Sequence, residues 1–129
     1  MDYRPAEFVR VVGLEEKLKD VVNEAKADTW VRAREHAVLL LEDDTIVMVR
    51  GGRDGIQLTQ RSDGSLYVEV EGQMKRVKRL SWHTHPEPTG PSDHDRSILE
   101  LLQQATSVVY ELRGDPDGTV FSRKTERRV

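Results

Sequence analysis

The side chains of this chain best suited to hold a metal ion are two histidines one residue apart, His83 and His85, and an aspartate further on, Asp95. On an extended strand, residues i and i+2 project from the same face, so both imidazoles can reach one point. A stretch carrying Pro86, Pro88, Gly90 and Pro91 follows, and then Ser92 opens a helical pattern. If that loop returns Asp95 to the histidines, it adds a third, anionic ligand. Two imidazoles and a carboxylate fill three positions of a tetrahedral zinc ion and leave the fourth open, which is the condition for catalysis rather than bracing. The chemistry to expect is that of a metallohydrolase using one zinc ion. The chain has no cysteine, which excludes thiolate ligands and disulfide staples and leaves histidines and carboxylates as the strong metal ligands.

For these residues to meet, regular elements must carry them, and the apolar spacing predicts which. Leu14, Leu18, Val21, Val22 and Ala25 recur at helical spacing, predicting an amphipathic helix from about Leu14 to Lys26 with acidic residues in its first turn. Ala37 to Leu41 and Thr45 to Val49 flank the polar turn Glu42-Asp43-Asp44 as a hairpin. Gly51-Gly52 and Asp54-Gly55 break the pattern. Ile56, Leu58 and the run Leu66 to Val70 flank Ser62-Asp63-Gly64, a second hairpin signal. A further strand runs from Met74 to His85, with Lys75, Arg76, Lys78 and Arg79 as an exposed face or edge. Trp82 alternates with the histidines and should face the core, while Trp30 is expected in the core or lining a groove.

Ser92 is a natural N-cap with Asp93 and Asp95 in the first turn, and Ile98, Leu99, Leu101 and Leu102 form an apolar face ending near Gln104. His94 sits beside Asp95 but points roughly 100° away on a helix, so it is expected to face solvent or substrate. Val108 to Leu112 and Thr119 to Ser122 read as strands joined by the turn Asp115-Pro116-Asp117-Gly118. The charged tail Arg123 to Val129 is expected to fray. This order fits one α/β (α+β) domain over residues 1–129, its core at about 14–122. The expected sheet is mixed, mostly antiparallel and flanked by helices, rather than a series of βαβ units.

The run His83-x-His85-Pro86 followed by Ser92-x-x-Asp95 resembles the signature of the JAMM (MPN-plus) family of zinc metalloproteases and isopeptidases. The spacing from Pro86 to Ser92 is slightly shorter than that family's, so the loop must take a tighter path. The resemblance covers roughly Leu14 to Ser122, though only the motif residues are specific. It implies a cytidine-deaminase-like sandwich, with zinc held by His83, His85 and Asp95. It also implies a glutamate near the start of the strand after the first helix, a place that Glu35 occupies. The implied role of Glu35 is to take a proton from the attacking water and pass it to the leaving amine. Ser92 is implied to donate a hydrogen bond to the developing oxyanion; its plainer alternative is a helix cap only. His36, next to Glu35, alternates to the opposite face.

The implied substrates are proteins or peptides, including ubiquitin-like tails whose extended, glycine-ended termini can add as a strand beside the site. The edge from Met74 to Leu80 is the expected place of pairing, its basic residues favouring acidic partners.

A net charge of -3 argues against a nucleic-acid or anionic-membrane binder by charge. No apolar run approaches the ~18 residues of a membrane span, and the N-terminus carries no secretory h-region, so a cytoplasmic protein, or a module of a larger one, is expected. Two other function classes compete. A non-catalytic MPN-like scaffold would typically have lost metal ligands, whereas Glu35, His83, His85, Ser92 and Asp95 are all present. A metal-dependent nuclease would want phosphate-binding residues near the site; the loop from Glu87 to Asp95 has none, and the basic strand Lys75 to Arg79 is the one feature in its favour. A zinc deaminase of the usual type needs P-C-x-x-C, which this chain cannot supply.

Overall fold

Short β-branched and apolar runs separated by polar turns become strands, and two stretches of helical spacing become helices. The computed structural model describes residues 8–51, 56, 58–88 and 90–122. The expected breaks at Gly52, Asp54 and Gly55 and the tail Arg123 to Val129 lie outside the described residues. In chain order the elements are β1 (Phe8–Val11), α1 (Leu18–Arg32), β2 (His36–Leu41), β3 (Ile46–Arg50), β4 (Thr59–Gln60), β5 (Leu66–Val70), β6 (Gln73–His85), α2 (Asp93–Leu101), β7 (Thr106–Glu111) and β8 (Thr119–Ser122). The sheet runs β1-β3-β2-β6-β5-β4, with β7 also on β6 and β8 on β7. Among the described residues the chain is therefore α+β, with a mixed sheet and two helices. Its parallel pair is β6 with β7, and α2 lies in the crossover that a parallel pair requires. The sequence reading did not foresee this βαβ unit or β1, which pairs with β3.

Both faces of β2 and β6 are covered. On one side, α1 packs Val21 and Ala25 against Val38, Met48 and Trp82. On the other, Leu39, Leu41, Val77 and Leu80 pack with Ile98 and Leu99 of α2 and with Phe121. Two irregularities in the β2–β6 register leave Lys78 and Ser81 without a partner on β2, since Leu41 faces Val77, Leu40 faces Arg79, Leu39 faces Leu80 and Val38 faces Trp82. Each extra residue resets the alternation. Val77, Leu80, His83 and His85 consequently share one face, and Trp82 and Thr84 share the other.

Several expectations need correction. The first helix does not begin at Leu14: residues before it form a turn held by Glu16, which takes Gly13 N–H at 2.6 Å and pairs with Arg10 at 2.9 Å. Leu14 and Leu18 are 99% and 67% exposed, and the face that buries is Val21, Ala25 and Thr29. The helix runs on past Lys26 to Arg32, where Ala33 closes it at φ 53°. Trp30 is neither core nor groove; it is exposed, with the Arg113 guanidinium 5.3 Å above its ring. The second helix ends at Leu101, earlier than Gln104, whose side chain turns back to accept Leu80 N–H at 2.9 Å and donate to Leu80 O at 2.7 Å.

Of the exposed face or edge expected of Met74 to Leu80, the basic face is present, with Arg76, Lys78 and Arg79 exposed, but the edge is largely paired. Gln73 to Arg76 pair with β5, Val77, Arg79 and Leu80 pair with β2, and Gln104 takes both main-chain groups of Leu80. Its cations also face anions of the β2–β3 turn: Lys75 lies 2.7 Å from Asp43, Arg76 3.5 Å from Glu42 and Lys78 3.9 Å from Asp44. No helix among the described residues is long and apolar enough to cross a membrane.

Candidate metal centre

His83 and His85 lie at the C-terminal end of β6, 2% and 5% exposed, with their rings 4.7 Å apart. Phe121 of β8 stands edge-on to the His83 ring at 5.4 Å, closing it from behind. Glu35 immediately precedes β2, and its carbonyl accepts Gly51 N–H at 2.7 Å. The register then sets Ala37 opposite His83, which brings the Glu35 carboxylate over the histidines. Asp95 arrives from α2. Ser92 caps that helix, its hydroxyl accepting Asp95 N–H at 3.1 Å while the Asp95 carboxylate accepts Ser92 N–H at 2.8 Å. This reciprocal pair is a capping box, and it turns the carboxylate inward, where Asp95 is 8% exposed.

Ligand atoms of Glu35, His83, His85 and Asp95 all lie within 4.8 Å of one another. Asp95 Oδ2 is 3.3 Å from His83 Nε2 and 3.4 Å from His85 Nε2. Four ligands at about 2.0–2.1 Å from a tetrahedral ion stand about 3.3–3.4 Å from one another. These two separations fit that edge. Glu35 Oε1 stands differently, 2.5 Å from His85 Nε2. That is a charge-assisted hydrogen bond, too short for two ligands of one ion.

Neither ring nitrogen of His83, nor Nδ1 of His85, makes an aligned hydrogen bond among the described residues, although all three are buried. Buried polar atoms are normally paired, so a buried imidazole whose near partner is an unaligned carboxylate fits a borderline cation that prefers nitrogen and oxygen ligands.

Charge inside this corner is strongly organised. Burial alone would discourage a charged His85, yet hydrogen bonds to Asp95 and Glu35 outweigh it and push its pKa up to about 9. Burial likewise opposes an ionised Asp95, but His83, His85 and the Ser92 N–H hold it far below the usual carboxylate range. The raised His85 value stabilises the metal-free fold below the ordinary imidazole value of 6.5, and that contribution is lost as pH rises through about 9. A protonated Nε2 has no lone pair for a metal. Zinc affinity, measured by chelator competition, is expected to rise about tenfold per pH unit between 6.5 and 9 as one proton is expelled. A flat profile across this interval would mean that His85 is already neutral in the metal-free protein or lies outside the ligand set.

The loop that delivers Asp95 is tied to β7 as well as stiffened by its prolines. Glu111, at the buried end of β7, accepts Gly90 N–H at 2.7 Å, and Leu112 N–H reaches His85 O at 3.0 Å. Gly90 adopts φ 71°, where a side chain would be strained, and a Cβ on Gly114 would come within 2.5 Å of Pro88. Sequence reasoning missed Glu111. Its signal was a carboxylate on the inward phase of an apolar strand, in step with Ser107 and Val109.

Also missed was the network behind the histidines, built from Asp28, Thr29, His36 and Thr84. His36 lies on the opposite face from Glu35, as alternation predicts, but there it is 1% exposed and fully hydrogen-bonded. His94 stays outside the ligand group, its Nε2 3.3 Å from Ile56 O at the mouth of a small cavity. Ser92 is exposed and its cap role is visible; accepting one hydrogen bond leaves the hydroxyl proton free to donate.

No protein-family model, curated protein or solved structure matches this chain.

Proposed function

We propose that the chain is a zinc-dependent metallopeptidase or isopeptidase with a JAMM-like fold and site. The observation that carries this reading is the pair of separations from Asp95 Oδ2 to the two Nε2 atoms, 3.3 and 3.4 Å, beside a carboxylate that bonds His85 at 2.5 Å and is not spaced as a co-ligand. His83, His85 and Asp95 would hold one zinc ion. When bound there, zinc would acidify a water molecule and polarise a carbonyl oxygen.

The residues of the chain then divide the remaining work. An Nε2 that ligates a metal no longer donates to Glu35, so loading the site frees the Glu35 carboxylate. Beside the histidines, it would accept the proton of the attacking water and deliver it to the leaving amine. Ser92, with its hydroxyl proton uncommitted, donates to the oxyanion as the carbonyl carbon becomes tetrahedral. The capping box and Glu111 hold the Asp95 loop in place beforehand, so little ordering remains to be done at the moment of reaction.

The substrate reading is a protein or peptide, with ubiquitin-like tails as the leading class. A cavity of about 20 Å³, lined by Ala37, Leu39, Leu80 and Ile98 with Ile56 and Leu58, meets the site at Glu35, His83 and Asp95. Such a space takes one water or a methyl group, which supports a glycine or alanine beside the scissile bond. The nuclease reading has less support, because Lys75, Arg76 and Lys78 of the basic strand each have a carboxylate of the β2–β3 turn within 4 Å.

The test is cleavage of fusions that differ only in the residue before the scissile bond. Glycine-ended fusions should be cut, bulky ones should resist, and a chelator should abolish cleavage until zinc is restored. A protein that binds no zinc and cuts none of them is no hydrolase of this kind.

A further inference from the structure

Thr84 lies between the two histidines and points to the other face of β6, where it is fully buried. Its Oγ1 accepts His36 N–H at 2.9 Å and lies 2.6 Å from Thr29 Oγ1. Thr29 Oγ1 is in turn 3.0 Å from His36 Nδ1, and His36 Nε2 is 2.8 Å from Asp28 Oδ2. Asp28 is held by Arg32 Nε at 2.6 Å. One proton order satisfies every member. The carboxylate can only accept, so His36 Nε2–H donates to Asp28, and the remaining Nδ1 lone pair accepts from Thr29. Thr29, having donated, accepts from Thr84. Reversing the order leaves the Thr84 proton without an acceptor among these contacts, at a cost that buried groups avoid.

The placement of this network gives it a function. Thr84 is flanked on β6 by His83 and His85, and His36 follows Glu35 at the start of β2. The bond from His36 N–H to Thr84 Oγ1 therefore joins the backbone of the base-bearing corner to the backbone between the histidines, one residue away on each side. Thr29 ties the same two residues to α1. We propose that Thr84, acting through His36 and Thr29, is a positioning residue that sets the distance between Glu35 and the histidine pair. The consequence for catalysis rests on the zinc-hydrolase reading, but the positioning itself is a property of the metal-free protein.

Thr84→Val keeps the shape and removes the hydroxyl, and Thr84→Ser restores it. In the metal-free protein, the Glu35–His85 hydrogen bond should give a downfield imidazole proton by NMR. Thr84→Val is expected to shift or broaden that signal, and Thr84→Ser to return it. In parallel, zinc affinity should fall about 10–100-fold in Thr84→Val, the scale on which a supporting partner of a metal ligand acts, and recover in Thr84→Ser. Should Thr84→Val fail to fold, Asp28→Asn weakens the far end of the same network at a half-exposed position and should move the signal in the same direction.

An unchanged imidazole proton in a folded Thr84→Val or Asp28→Asn protein overturns the proposal. If the signal responds as expected while wild type binds no zinc, positioning stands and the metal reading fails. If wild type binds zinc and the signal ignores Thr84, the reverse holds.

Discussion

Asp95→Asn is expected to give a folded protein whose zinc affinity is weaker by more than a hundredfold, with hydrolysis lost in parallel. The amide keeps the size of the side chain and can still accept Ser92 N–H, so the capping box survives in outline. What disappears is the only negative charge in the expected ligand set. Loss of an outer partner of a metal ligand already costs about 10–100-fold, and loss of the ligand itself costs more. Asp95→Ala should add a structural penalty, because Ser92 N–H loses its carboxylate acceptor while the Ser92 hydroxyl still caps the helix. Zinc titration and thermal unfolding on both variants separate the two effects. Wild-type zinc affinity in Asp95→Asn would reduce Asp95 to a helix cap and ion-pair partner.

The parts of this site that were legible in the sequence are those governed by local rules. Alternation along a strand is independent of what lies beside it, so His83 and His85 share a face whatever the neighbours do. Ser92 caps its helix through groups three residues away, and a helix start carries Asp95 inward by its own geometry. The β2–β3 hairpin and the β7–β8 pair likewise follow from apolar runs of strand length around polar turns.

What escaped depends on partners remote in sequence. Leu14 and Leu18 match the period of α1, yet the Glu16 turn claims the residues before the helix, and the sheet selects Val21, Ala25 and Thr29 as the buried face. The basic run on β6 looked like a partner surface because the turn that neutralises it, with Asp43 opposite Lys75, is 32 residues away. Lys78 and Ser81 became extra residues through the pairing of β6 with β2, and no strand rule places a bulge without knowing the partner. Thr29 and Thr84 are 55 residues apart, so neither residue alone hints that their hydroxyls meet.

Glu35→Gln carries the sharpest test of mechanism, because two roles for this side chain predict opposite results. As a general base it accepts a proton in the transition state and binds no metal. The amide cannot accept that proton, so turnover should fall about 10²–10⁴-fold while zinc stoichiometry is kept and zinc affinity does not fall, since losing the Glu35 charge eases the proton off His85. As a fourth ligand, Glu35 would instead close the coordination shell, and a closed tetrahedral site braces a fold without catalysing. Glu35→Gln would then weaken zinc binding, and wild type itself would show no turnover to lose. The 2.5 Å contact with His85 favours the first role, since it joins a donor to an acceptor and not two ligands across an ion. Zinc affinity and single-turnover cleavage, measured on the same preparation, distinguish the cases. Retained zinc with lost cleavage assigns the base; lost zinc assigns a ligand; retained zinc with retained cleavage means that another group moves the proton.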